Sequence, residues 1–175
     1  MKEKIEKIIE IPEGVEVKVD KKVTVTGKNG EIERKFSYPG VTLKLEGSKI
    51  LITAEEGTKR EKKIIMTTAA HIINMINGVQ KSFKYRLQVC SVHFPITVKI
   101  EGNYLKIKNF FGETKERKAL ILPQVKAEIK GDIIEVESAN RESAGQTAAN
   151  IETATKIRSR DRRIFQDGIY IIEKA

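Results

Sequence analysis

Residues 15–31, VEVKVDKKVTVTGKNGE, and residues 96–113, ITVKIEGNYLKIKNFFGE, carry one pattern twice. Each reads as two strands with a turn between them. Val17, Val19, Val23 and Val25 correspond to Val98, Ile100, Leu105 and Ile107 in the period-two alternation that buries one face of a strand. Gly30-Glu31 then corresponds to Gly112-Glu113. Working outward, VTLKLEGSKILIT at 41–53 matches VKAEIKGDIIEVE at 125–137, with Gly47 and Gly131 at equivalent hairpin turns. A helical stripe follows each hairpin. In the first copy it is Ile65, Ala69, Ile72 and Ile76, after the polar start KREKK and stopping near Gly78. In the second it is Ala144, Ala148, Ile151 and Thr155, with Ser138 or Asn140 as N-cap. The fold class expected is α+β: two tandem copies of a small antiparallel sheet covered by one helix, related by internal duplication. Turn residues and lysines at 77–84 mark the join, giving a first domain over 1–82 and a second over 83–175.

The chain has 175 residues, 33 Lys+Arg against 24 Asp+Glu, a formal charge of +9, one Cys and no Trp. With 39% hydrophobic and 33% charged residues it is too apolar for disorder. No apolar run nears the roughly 18 residues of a spanning helix, and the amino terminus interrupts its isoleucines with charges, unlike a signal peptide. The expectation is therefore no membrane and a cytoplasmic location. A single Cys and two His exclude four-Cys and Cys/His zinc sites by counting. Excess positive charge favours a polyanionic partner, because Lys and Arg release counterions from phosphates.

A catalytic reading starts at Cys90 and His93 in YRLQVCSVHFP. On a strand, residues three apart face opposite ways, so the pair is not formed and Cys90 is expected in a core with Val92 and Phe94. His71, on the first helix beside Asn74, reads as a packed or capping residue. No phosphate-binding loop, nucleophile elbow or zinc-protease motif occurs. The chain is expected not to be an enzyme and to take no cofactor, metal or small-molecule substrate.

The distinctive segment is KIRSRDRR at 156–163, Arg-rich in a chain that otherwise favours Lys. Arginine offers a planar fork for phosphates and a face for stacking. It leads into RIFQDGIYI, where Phe165 and Tyr170 either pack the loop down or present a stacking surface. Two Gly-containing basic stretches, 28–35 and 109–118, are expected as equivalent loops between strands, the second carrying Phe110 and Phe111.

RLQVCSVHFPITVKIEGNYLKIKNFFGE at 86–113, ESAGQTAANIE at 142–152 and RRIFQDGIYI at 162–172 resemble the archaeal and eukaryotic branch of ribosomal protein six of the large subunit. The likeness covers nearly the whole chain, including GVTL at 40–43 and the duplication. It implies a structural constituent of the large ribosomal subunit. Its second copy would be the main RNA-binding domain, seated on large-subunit ribosomal RNA near the sarcin–ricin loop and the docking region of translational GTPases. Neighbouring ribosomal proteins are the other partners implied. Carried over, the contact region falls on Asn140, Arg141, Gln146 and Thr147, on Lys156, Arg158, Arg160, Arg162 and Arg163, and on Gln166, Asp167 and Gly168. From composition alone, a basic protein–protein adaptor meeting an acidic surface is the alternative.

Overall fold

The alternating stretches become antiparallel ladders in both halves of the chain. The structure, a computed structural model, describes residues 3–20, 22–161 and 163–175. Residues 1–82 and 83–175 form separate compact units.

In the first unit the strands are β1 (Glu3–Glu10), β2 (Glu16–Val19), β3 (Val23–Gly27), β4 (Gly30–Arg34), β5 (Thr42–Glu46) and β6 (Lys49–Gly57), followed by helix α1 (Lys59–Gln80). They make two sheets, ordered β1-β6-β5 and β2-β3-β4. Thr58 caps α1 with a capping box: its hydroxyl accepts from the Arg60 amide while Glu61 reaches back to the Thr58 amide. The expected stripe Ile65, Ala69, Ile72 and Ile76 is buried, facing Ile50, Ile52 and Ala54 of β6. At the far end, the Asn29 amide donates to the Val79 carbonyl at 3.0 Å and its side chain to Gly78 at 3.5 Å, so the tip of the β3–β4 hairpin closes the helix terminus. Gly27 makes that approach possible, since a Cβ there would sit 2.8–3.1 Å from Val79 side-chain and carbonyl atoms.

The second unit contains β7 (Phe83–Cys90), β8 (Thr97–Glu101), β9 (Tyr104–Lys108), a 3₁₀ turn at Phe110–Gly112, β10 (Arg117–Leu120), β11 (Lys126–Lys130), β12 (Ile133–Ser138), helix α2 (Arg141–Ala154) and β13 (Gly168–Glu173). Its sheets run β10-β9-β8 and β11-β12-β7-β13. Leu87, Leu105, Ile107, Phe110, Ile134, Val136, Ile151 and Ile169 form its core. Asn140, one of the two expected caps, accepts from the Glu142 and Ser143 amides; Ser138 instead donates to the Gln124 carbonyl. The duplication extends to single hydrogen bonds. Ile11 donates to Ser48 and Val89 donates to Asp132, each at 2.8 Å, closing the same end of the same strand pair.

Several expectations are corrected. Residues 15–31 form three strands rather than two, because Gly30 turns the chain at φ +110° straight into β4. The stretch 28–35 is therefore mostly strand, whereas its counterpart keeps a loop over 109–116 before β10. Helix α1 runs past Gly78 to Gln80. Strands β1 and β13, which the repeat pattern does not include, lie at sheet edges.

Candidate nucleic-acid interface

Helix α2 is 14 residues long, so its ends are about 21 Å apart. The residues expected to touch RNA divide between those ends rather than forming one spot. At the start, Asn140 caps the helix. Arg141 donates to the Ala175 carbonyl at 3.2 Å and lies over the Phe83 ring, and Gln146 is exposed and donates to Asn150 at 2.9 Å.

At the other end, the chain leaves α2 through Thr155 and enters the Arg-rich loop. Ile157 anchors the loop in the core, while Lys156, Arg158 and Arg160 project outward. The loop then turns through Ser159, at φ +58°. Its cations have distinct environments. Arg160 sits between two aromatic rings, its guanidinium carbon 4.9 Å from the centroids of both Phe111 and Phe165. Arg163 forms a bidentate pair with Asp161, with contacts of 2.7–3.2 Å, and that contact holds the Asp161 carboxyl below its ordinary range. Arg162 lies outside the described residues. Lys156 and Arg158 carry no ion pair among the described residues.

Lys156 and Arg158 border a groove of about 390 Å³ whose other walls are Arg117, Lys118, Thr153 and Ala154. Arg117 shapes this groove. It donates to the Ala154 carbonyl at 2.9 Å, covers the Phe110 ring at 4.3 Å and clamps Glu113 at 2.6–2.8 Å. Hydrogen bonds from Arg117, and the charges of Arg117 and Arg160, keep Glu113 below the usual carboxylate range. Lys118, Lys156 and Arg158 thus remain as three uncommitted cations beside the carbonyl end of a helix, where positive charge is favoured. Elsewhere in the unit Lys84, Arg86, Lys106, Lys108 and Lys130 are paired with glutamates. Lys118 was not among the residues expected. Its signal was present, since it closes the basic stretch 109–118, but only β10 brings it beside the Arg-rich loop.

Three expected contact residues are interior. Asp167 is 0% exposed; it accepts from the Val92 amide at 2.5 Å, the His93 amide at 3.2 Å and His93 Nδ1 at 3.1 Å. The carboxylate is saturated by backbone and ring, so it pins the 91–95 loop instead of meeting a ligand. Thr147 is buried and accepts from the Leu122 amide at 3.2 Å. Gly168 is buried at φ +158°, and a Cβ on it would come within 3.0 Å of the Tyr170 ring. Cys90 also departs from expectation. It ends β7 half-buried on the face opposite Leu87 and Val89, while Val92 and Phe94 are exposed beyond the strand. His93 faces Asp167 and stacks at 5.2 Å on Phe165.

The family model for ribosomal protein L6 matches two stretches of this chain, residues 11–82 and 94–168, one in each unit. A large ribosomal subunit protein uL6 of Methanosarcina mazei is 45% identical over the full length of both chains. Namesakes from Methanobrevibacter smithii and Aeropyrum pernix are each 46% identical over 95% of this chain, covering 94% and 92% of their own lengths. The family is one of ribosomal proteins, not of enzymes. With both units matched and full-length relatives at this identity, the chain belongs to the ribosomal protein L6 family.

Proposed function

We propose that this protein is a structural constituent of the large ribosomal subunit in the cytoplasm and binds large-subunit ribosomal RNA mainly through its second unit. The observation that carries the reading is the sorting of cations around the carbonyl end of α2. Arg117, Arg160 and Arg163 are committed to protein partners, while Lys118, Lys156 and Arg158 are left lining an open groove of about 390 Å³. Exposed Gln166 supplies a polar group further along the loop, with Asn140, Arg141 and exposed Gln146 toward the start of the helix. Thr147, Asp167 and Gly168 act from inside, by fixing the loops. Within the subunit, resemblance to the family points to the neighbourhood of the sarcin–ricin loop, where translational GTPases dock.

The test is crosslinking within assembled subunits, with both ends mapped. Crosslinks from Lys118 and Lys156 to the RNA domain containing the sarcin–ricin loop are expected. Crosslinks from these lysines only to proteins would support an adaptor instead.

A further inference from the structure

The two copies differ at one edge of the helix-covered sheet. In the second unit, β7 lies between β12 and β13; in the first, the equivalent strand β1 pairs with β6 alone among the described residues. The register makes the equivalence residue by residue. Ile9 faces Ile50 as Leu87 faces Ile134, and Ile11 and Val89 make the matching hydrogen bonds described above. On β7 the partner strand β13 pairs Ile169 with Val89, Tyr170 with Gln88 and Ile171 with Leu87. The corresponding positions on β1 and just beyond it are Ile11, Glu10 and Ile9. Since backbone groups alternate sides along a strand, and Ile11 points toward β6, the amides and carbonyls of Glu10, Ile8 and Glu6 point away from the sheet.

What flanks this edge is apolar. On the helix, aligning Ile72 with Ile151 places Ile73 where α2 has Glu152, whose carboxylate lies 3.4 Å from the Ile171 amide of β13. Ile73 is 41% exposed, and Met66, two turns earlier on the same line, is 52% exposed. On the opposite face Ile8 is 53% exposed, where β7 has Arg86, paired there with Glu173 of β13 at 3.0 Å. Proteins commonly guard free edges with lysines, bulges and prolines. Here Lys4, Lys7 and the bulge between Glu3 and Ile5 guard only the beginning of β1, leaving Ile8–Glu10 regular and free of lysine.

We propose that the free edge of β1 is a strand-docking site, filled by an extended segment of another protein that adds antiparallel to β1 as β13 adds to β7. The occupant is apolar at successive residues in its first half, so that one set of side chains covers Ile8 on one face and the other set covers Ile73 with Met66 on the opposite face. Its second half is acidic. Antiparallel pairing carries that half toward the start of β1, where Lys59 and Lys62, with Lys4 paired to Glu6, line a groove of about 480 Å³ at the base of α1. Main-chain hydrogen bonds supply the affinity and the alternating side chains the selectivity, as in other strand additions.

The probe is a synthetic peptide carrying residues 168–173 of this chain followed by four glutamates, added to the full-length protein. Amide hydrogen exchange read residue by residue is expected to slow at Ile8 and Glu10 by about tenfold at a probe concentration ten times Kd. Ile8→Pro removes an outward donor at an edge position that tolerates proline and is expected to abolish the protection. Ile73→Glu, on the outer face of α1, is a second block that does not touch the strand, and a probe with lysines in place of the glutamates should bind at least tenfold more weakly. No protection up to about 1 mM probe, the weak end of specific binding, overturns the proposal. So does protection without probe that rises with protein concentration, which would assign the edge to a second copy, or protection produced by ribosomal RNA alone.

Discussion

Replacing Lys118, Lys156 and Arg158 together by alanine is the sharpest test of how the Arg-rich end of the second unit works. These side chains are exposed and unpaired, so each substitution should alter stability by less than about 0.5 kcal/mol. Each neutralises about one phosphate if the groove holds RNA. Each then contributes about 0.9 to the slope of log K against log salt on duplex, or about 0.7 on single strands. Removing all three should lower the slope by roughly 2 to 3. Between 50 and 200 mM salt, a slope change near 2.7 corresponds to roughly 40-fold less salt-driven weakening. Single substitutions should cost on the order of 1–3 kcal/mol in binding. Arg163→Ala and Arg160→Ala are the contrasting pair. Arg163 is already neutralised by Asp161, so its loss should change the slope by much less than one unit. Loss of Arg160 removes a cation packed on both Phe111 and Phe165, which already meet edge to face at 5.8 Å, and should lower the melting temperature. The assay is filter binding or fluorescence anisotropy with a large-subunit RNA fragment across a salt series, with melting curves on the same variants. An unchanged slope in the triple variant, together with a full unit lost in Arg163→Ala, would refute the assignment of free and committed cations.

A fragment starting at Phe83 should fold alone with a cooperative transition, because β7 is an inner strand of its sheet. A fragment starting after Cys90 should not fold, and denaturant melts followed by circular dichroism distinguish the two. Gly27→Ala places a Cβ against Val79 and should destabilise the first unit by about 1–3 kcal/mol, measured by hydrogen exchange in α1 while α2 is unaffected. Asp167→Ala leaves the Val92 and His93 amides without their acceptor, at about 1–3 kcal/mol; chemical denaturation should show the loss, with the salt slope of RNA binding preserved. Because the Glu113 carboxyl is held low by Arg117, its stabilisation is complete above an unfolded pKa of about 4.3 and fades as pH falls through the lower folded value. The difference in melting temperature between wild type and Glu113→Gln should therefore shrink below about pH 4, and a constant difference down to pH 2 would contradict it.

The duplication, the helical stripes and the hairpins at Gly47 and Gly131 were legible because each depends on local periodicity and turn chemistry. What the sequence concealed is set by distant partners. Glu3–Glu10 reads as a charged start, and only pairing with Lys49–Gly57 makes it a strand. Asp167 sits in a polar, ligand-like segment, yet three donors from residues 92 and 93 draw it inside. The five cations of KIRSRDRR look alike in the sequence. Their division follows from Asp161 two residues away, which periodicity does not reveal, and from Phe111, a residue of the preceding loop held at φ +52°. Lys118 reads in the sequence only as the end of a loop because nothing in one dimension places it beside residue 156.

The end of α1 shows how a duplicated fold can assign its copies different work without altering the frame. With Ile72 aligned to Ile151, Val79 takes the place of Arg158. In one copy the helix continues, and that position packs beneath a hairpin tip held by Asn29. In the other the helix stops at Ala154, and the same position becomes a cation in water. One further turn of helix therefore acts as a plug. Its presence makes core of a position that is an exposed cation in the other copy, and its removal would leave bare carbonyls and an open channel between hairpin and helix. Divergence here required no new strand, only a choice of where α-helical hydrogen bonding ends. A chimera carrying residues 153–160 in place of 74–81, together with Asn29→Lys, is thus the shortest route to asking whether the first unit can acquire the chemistry of the second.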